Sequence, residues 1–434
     1  MDFYLNGKTR SVSNDFVVVQ DCQTGSSGKR FLGLLALALL TLTAASTTAI
    51  AKEITFANFG QPITMELAED RYQTTTFDAK VKLAPRLLIK TVIDIEASSP
   101  LFQHPSVTKA LPLFAAKTFQ YFLVELPDLS AMPAALAYFQ HQKQVLGVQP
   151  DLQQMTRLAT AGNGLATPGK ASNFSSGLLQ NNRGRGTKIA IIDEGVDLTH
   201  HELAQVKLAF AYDVQSHSVG AKPGSTLNSH GTRIAGVLFA ARDGKGIEGL
   251  VPDAELIAIR QVTSWTSETL LAFQLASLAG ADIINCSWHT RVLLEPVSDV
   301  VTALAQEGRG GKGIAVVFAA GNEGQQVLPA QTEAAIADAI VVAATNRHGQ
   351  RLASSNYGDS IDINAYGAGV DSTGDQDGYE TLNGTSLAAA VVSGMAALLI
   401  SAQPDLTLAQ IIQKLQALNP VTSPWEVEGL NAAL

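Results

Sequence analysis

The sequence predicts an α/β fold: a doubly wound, mostly parallel sheet with helices on both faces, preceded by a small α+β segment. Three observations lead there. After residue 186, short all-apolar runs alternate with longer helix-like stretches, which is how strands buried on both faces and their crossover helices read. Asp193 and Asn322 then stand just past the ends of two such runs, where open parallel sheets carry their ligand-binding residues. Residues 117–155 follow a different order, strand–helix–strand, in too few residues to enclose a core of their own.

The chain of 434 residues has room for two domains, or for one large domain with an accessory segment. Its 46% hydrophobic and 16% charged residues mark a globular protein, and the net charge of -9 argues against nucleic acid as a partner. Lys29-Arg30, the apolar run 31–43 and the small residues ending Ala49-Ile50-Ala51 form a secretory signal with a long leading region. Residues 1–51 are therefore expected to be removed after Ala51, leaving a secreted or periplasmic chain. Of the two cysteines, Cys22 and Cys286, only Cys286 would remain, so no internal disulfide is expected. No other stretch reads as long and apolar enough to span a membrane, so the mature chain is expected to have no span.

Residues 52–116 contain a candidate strand at 86–95 but no motif. A strand at 121–126 should end at Pro127-Asp128, with Ser130 capping a helix to about Gln142 and Pro133 tolerated in its first turn. A second strand, 145–149, should end at Pro150-Asp151. This piece is expected to pack against something larger. Residues 159–181 have the composition of a flexible linker open to proteolysis. In the remaining 182–434, strands are expected at 188–192, 254–259, 283–284, 314–318 and 340–343. Helices are expected at 230–241, 267–279, 296–307, 386–401 and 408–418, the last with Thr407 and Gln410 in capping-box spacing.

Four pieces of this second part carry candidate chemistry: Asp193 in Ile191-Ile-Asp-Glu-Gly-Val-Asp, His230 in Ser229-His-Gly-Thr-Arg-Ile-Ala-Gly, Asn322 in Ala319-Ala-Gly-Asn-Glu-Gly, and Ser386 in Asn383-Gly-Thr-Ser-Leu-Ala. Each alone has an ordinary reading, as a turn residue or a helix cap. Ser386 would open a helix of small apolar residues, where free backbone N–H groups favour developing negative charge.

Together, in this order and spacing, the four pieces resemble the motifs of the subtilisin-like serine proteases over about 182–434. The resemblance implies acyl transfer to Ser386, with His230 as general base and then acid, Asp193 orienting the imidazole, and the Asn322 amide stabilising the oxyanion. Losing one oxyanion donor typically costs roughly 10²–10³ in kcat. It also implies protein or peptide substrates, lying along Ser287, Trp288 and His289 on one side and Ala319, Ala320 and Gly321 on the other, by main-chain hydrogen bonds. His289 stands where the family has glycine, and a side chain there narrows the pockets for residues before the cut. The segment 117–155 resembles the inhibitory prodomain of these proteases, so residues 52–158 are expected to be a propeptide that binds its own cleft until self-cleavage. The run Gly308-Arg-Gly-Gly-Lys-Gly and the pair Ser287-Trp288 resemble the kexin-type branch.

No cofactor is needed for this chemistry. Structural calcium fits the family but has no assigned ligands, and Asp371, Asp375 and Asp377 read as a solvated hairpin. Cys286 reads as a packed neighbour in the substrate strand. An α/β-hydrolase would need glycine where Ala388 stands. A catalytically silent peptide-binding relative is expected to have lost one of the four groups, and none is lost.

Overall fold

The computed structural model describes residues 3–5, 8–10, 53–68, 71–74, 79–155, 157–158, 161–165, 182–225, 229–329 and 331–418. The expected signal sequence and most of 159–181 lie outside them. Phe3–Leu5 and Lys8–Arg10 form a two-stranded ribbon within a separate unit, residues 1–47.

Eight strands form the central sheet of the larger unit, in the order Ser218–Val219, Lys207–Asp213, Glu255–Arg260, Lys188–Asp193, Ile283–Cys286, Ala315–Ala319, Ile340–Thr345, Ile363–Tyr366. All neighbours pair in parallel except the edge strand Ser218–Val219. The strand Lys188–Asp193 explains the layering. Ile189 and Ile191 face a core with Ile234 of the helix His230–Phe239 and Val391 of the helix Thr385–Ala402. Ala190 and Ile192 face the other way, onto Phe273 of the helix Thr266–Leu278 and Val300 of the helix Glu295–Gly311. Alternation along one strand thus buries both faces of the sheet.

The helix Thr385–Ala402 corrects one expectation. Its 18 residues, with mean hydropathy 1.9, are apolar enough to cross a membrane, although 89% of them are buried within the fold. Its small residues let it run beside the central strands.

Residues 53–155 form a twisted antiparallel sheet with one helix. The long strand Ala79–Thr91 pairs with Val145–Gln154 on one side and Gln120–Glu125 on the other, and Lys109–Ala115 lies outside Gln120–Glu125. Arg71–Thr74, Gln61–Ala68 and Glu53–Asn58 extend the sheet. Leu87, Ile89, Phe122 and Val124 pack on the helix Met132–Gln140, whereas Leu88, Tyr121 and Leu123 on the opposite face join Phe273 and Val300 of the large region.

Residues 117–155 do run strand–helix–strand, as Gln120–Glu125, Met132–Gln140 and Val145–Gln154, within this larger sheet. Two expectations fail here. The strand expected to end at Pro150 continues through it to Gln154. Ser130 does not cap the helix: Asp128 caps the short turn Leu129–Ala131 that leads into it, accepting from the Ser130 N–H at 2.8 Å, and the helix Met132–Gln140 itself follows Ala131 with no side-chain cap.

The two regions meet through polar groups at helix ends. The residues preceding the helices Thr266–Leu278 and Glu295–Gly311 are Trp265 and Leu294, which offer no side-chain cap. Asp151 takes the first place, accepting from the Ser267 N–H at 2.9 Å and hydroxyl at 2.7 Å. Asn58 takes the second, accepting from the Glu295 N–H at 2.8 Å. Each satisfies a backbone donor that the helix leaves unpaired, and the Asp151 charge sits at the favourable end of the helix dipole. Arg86 pairs with Asp151 at 2.7 Å, and Lys90 with Asp299 at 2.7 Å.

Candidate active site

Asp193 ends its strand and His230 begins its helix. The imidazole Nδ1 lies 2.9 Å from both Asp193 carboxylate oxygens, with both residues buried. Gly231 makes this approach possible. A Cβ there would stand 2.4 Å from the Gly195 carbonyl oxygen and 3.0 Å from the Asp193 Cβ, so any side chain would push the helix off the strand end. Trp288 donates from Nε1 to the Ile192 carbonyl at 2.8 Å, tying the strand Trp288–His289 to the strand that carries Asp193.

Ser386 is the second residue of the helix Thr385–Ala402, which follows Gly384 at φ 141°. Its hydroxyl donates to the Ser287 carbonyl at 2.9 Å, while the Ser287 hydroxyl donates to the Ser386 carbonyl at 3.1 Å. Behind them, Asn285 Nδ2 donates to the Ser287 Oγ at 2.8 Å, and the Ser393 hydroxyl donates to Asn285 Oδ1 at 3.0 Å. This buried chain of bonds fixes the helix Thr385–Ala402 to the sheet. His230 Nε2 is buried without a hydrogen-bond partner. The serine hydroxyl therefore rests on the Ser287 carbonyl rather than on the imidazole.

Asn322 Oδ1 accepts from the Thr385 N–H at 3.1 Å and hydroxyl at 3.2 Å. That network fixes Oδ1 as the accepting end of the amide and Nδ2 as its donor end. Ala319 ends its strand, Ala320 is buried, and Gly321 turns the chain at φ 101°. His289 is buried opposite this turn, its Nε2 3.3 Å from Glu323 Oε1.

Sequence reasoning passed over Glu323, Asn356, Asn285 and Ser393. Glu323 lies inside a quoted motif, and the others are linked only through the fold. Cys286 is fully buried, and burial, then the Glu333 and Asp193 charges, push its thiol well above the ordinary range, so it stays neutral. The three hairpin aspartates do not converge. Asp371 accepts from Thr381, Asp375 lies 3.9 Å from Arg233, and Asp377 accepts from the His201 N–H. His200, His201 and Asp377 do gather, but the ring nitrogens already meet Gly378, the Glu202 N–H, Tyr379 and Asp377. We assign no metal there.

At the end of the expected propeptide, Arg157–Leu158 pairs antiparallel with Trp288–His289, Arg157 opposite His289 and Leu158 opposite Trp288, and the described part of the expected linker is also a strand. Ala161–Leu165 then pairs antiparallel with Tyr379–Asn383, Ala161 opposite Asn383. Small, turn-rich composition suggested a flexible segment, but main-chain pairing in a cleft asks little of side chains.

Comparison with known proteins agrees with this geometry. The model of the subtilase family matches residues 184–419. The thermophilic serine proteinase of Bacillus sp. (strain AK1) is 34% identical over 227 residues, covering 50% of this chain and 52% of that protein. Subtilisin DY of Bacillus licheniformis is 32% identical over 248 residues, covering 55% of this chain and 85% of the relative. Among solved structures, fervidolysin from Fervidobacterium pennivorans, described as a keratinolytic enzyme related to subtilisin, superposes with a TM-score of 0.62 at 19% identity, over 82% of this chain and 58% of its own. The chain thus spans about half the length of the first of these relatives. It has the subtilisin-like α/β fold and belongs to the subtilase family.

Proposed function

We propose that this chain is a secreted or periplasmic serine endopeptidase made as a zymogen, and that it frees itself by cutting its own connection to residues 52–158. The observation that carries the reading is the pairing of Arg157–Leu158 and Ala161–Leu165 with strands on either side of Ser386. The chain's own backbone enters the cleft as an extended substrate would.

In the reaction, Ser386 Oγ bonds to the scissile carbonyl carbon as its proton passes to His230 Nε2. The Asn322 amide and the Ser386 backbone N–H hold the oxyanion. The C–N bond then breaks, His230 gives its proton to the leaving amine, and water repeats the cycle to release the acyl group. Asp193 keeps the Nδ1–H tautomer and stabilises the imidazolium. No cofactor takes part. Substrates are proteins or peptides, and before cleavage the sheet of residues 53–155 acts as an intramolecular inhibitor held on the two capped helices. Residues 1–51 would be the export signal and 182–434 the peptidase domain.

Intact mass of the purified wild type beside Ser386→Ala tests the reading. Wild type should give a mature chain lacking the N-terminal region, and the variant should keep it, with peptidase activity down about 10⁶-fold as for loss of a triad serine. Identical termini in both would sink the proposal.

A further inference from the structure

We propose that Asn356 is a positioning residue for the reaction: its side chain holds the turn that carries Asn322, and so sets where the oxyanion donor stands. The inference rests on the proposed peptidase function and adds a residue, far along the chain, on which that transition state depends.

The turn follows the strand Ala315–Ala319 and lies against the segment 353–358. A Cβ built on Gly321 would come 2.5 Å from Asn356 Nδ2, so the two backbones leave room for this amide and nothing more. Asn356 is buried, and its amide uses every hydrogen-bonding position it has. Nδ2 donates to the Ala320 carbonyl at 2.9 Å and to Glu323 Oε2 at 2.8 Å. Oδ1 accepts from the N–H groups of Glu323 at 3.2 Å and Gln325 at 2.9 Å. The bonds therefore grip the chain on both sides of Asn322, at Ala320 before it and at Glu323 and Gln325 after it. They also settle which way the amide points, because a carbonyl only accepts and an N–H only donates.

The support behind Asn356 is rigid. The Ser355 hydroxyl donates to the Asn356 carbonyl at 3.0 Å and accepts from the Ala344 N–H at 3.0 Å, which ties the segment to the strand Ile340–Thr345. On the other side of the turn, Thr385 holds Asn322 Oδ1 and so sets the rotation of that amide. Asn356 sets the path of the backbone beneath it. Backbone bonds would survive a substitution, among them the Asn356 N–H to the Gly321 carbonyl at 2.9 Å and the Gly324 N–H to the Ser354 carbonyl at 2.7 Å. Loss of the side chain should loosen the turn rather than unfold it.

The residue type matters. Aspartate would keep the two acceptor bonds, lose both donations and set a second negative charge against Glu323. Alanine loses all four bonds. The start of the turn is held separately, since the Ala320 N–H donates to the Val342 carbonyl at 3.0 Å. A loosened turn should therefore misplace the Asn322 donor while leaving the end of the strand, and substrate pairing along it, in place. Misplacement by about 1 Å can cost on the order of 10²-fold in rate.

The test is a double-mutant cycle on the full chain: Asn356→Ala, Asn322→Ala and the pair, with Ser386→Ala as the blank. Two readouts are taken, the first-order rate of self-cleavage and, on the mature chain, kcat and KM for a peptide p-nitroanilide. Asn356→Ala should lower kcat on the order of 10²-fold with KM little changed, and by no more than the roughly 10²–10³ that one oxyanion donor is worth. On the Asn322→Ala background the same change should cost almost nothing further, because the group it positions is gone. Equal losses on both backgrounds, a rise in KM with kcat kept, or a lower Tm with kcat kept overturns the inference. Where Asn356→Ala does not fold, Asn356→Asp carries the same cycle, and its loss should likewise vanish on the Asn322→Ala background. Identical termini in wild type and Ser386→Ala would sink self-cleavage alone, since the peptide readout still decides the role of Asn356. A wild type no faster than Ser386→Ala on the peptide removes both.

Discussion

The antiparallel region 53–155 and the parallel-sheet region are held by opposite means. Inside the parallel region, small apolar residues pack against backbone: the helix Thr385–Ala402 is buried almost throughout, and Gly231 lets the helix that begins at His230 touch the loop after Asp193. Where the two regions meet, apolar contact is supplemented by borrowed polar groups. Asp151 and Asn58 cap helices whose own preceding residues, Trp265 and Leu294, have nothing to give. The difference fits two lifetimes. A close-packed interior is built to last, whereas helix ends capped by another region could pass to water if that region were cut away, as proposed.

The largest break in that comparison should come from Asp151→Ala, on a Ser386→Ala background that keeps the chain in one piece. Asp151 is fully buried, so the change strips Arg86 of its partner and uncaps the helix at Thr266 together. Loss of one partner from a buried pair costs roughly 3–5 kcal/mol. Urea unfolding should read that fall, and Asp151→Asn, which keeps an acceptor oxygen, should lose less. No loss in either would mean the interface is held by its apolar face alone. Gly231→Ala is the counterpart in the interior. Its methyl must displace the Gly195 carbonyl, at a cost of about 1–3 kcal/mol for overpacking, and peptidase activity should fall with it as His230 leaves Asp193.

How legible each region was follows from the same contrast. The parallel strands could be read because burial on both faces makes them unbroken apolar runs, as in Ile189-Ala-Ile-Ile. The antiparallel strands hide behind prolines at positions 62, 85, 112 and 150, which read as strand breakers. Pro85 is accommodated where the pairing register shifts between Leu83 and Leu87, so its missing N–H costs little. In the site, Asp193, His230, Asn322 and Ser386 stood out because each has a local motif. The link from His289 through Glu323 to Asn356 spans 33 residues on its second leg alone and has no local pattern. The pairing of Ala161–Leu165 was hidden for another reason, since its bonds use only backbone.

A smaller effect separates the regions by pH. Burial, then the nearby Asp151 charge, raises the Glu268 carboxyl from its ordinary 4.5 to about 7, against the Thr263 hydroxyl and Arg86, which favour the charged form; Asp213 adds to the rise. The folded chain therefore holds this proton more tightly than the unfolded one. Its contribution to stability is complete below about 4.5 and is lost as pH rises through about 7. Thermal unfolding of the Ser386→Ala chain should show Tm falling across that window, and Glu268→Gln should flatten the fall. An unchanged slope would place the titrating group elsewhere.

The smallest effect belongs to a cap the parallel region supplies for itself. Thr407 and Gln410 close a capping box at the helix Leu408–Leu418: the Thr407 N–H donates to Gln410 Oε1 at 2.9 Å, and the Gln410 N–H to Thr407 Oγ1 at 3.4 Å. The box is exposed, so water can replace the lost partner, and Thr407→Ala should cost only about 1 kcal/mol. It should also leave the rate of self-cleavage unchanged, because the helix packs Leu408, Ile411 and Leu415 into the core shared with the helix Thr385–Ala402. The cap that Asp151 lends is buried, charged and shared between two regions, and its loss should change both stability and processing. If the two substitutions behaved alike, the borrowed caps would be ordinary helix ends and the contrast between the regions would fail.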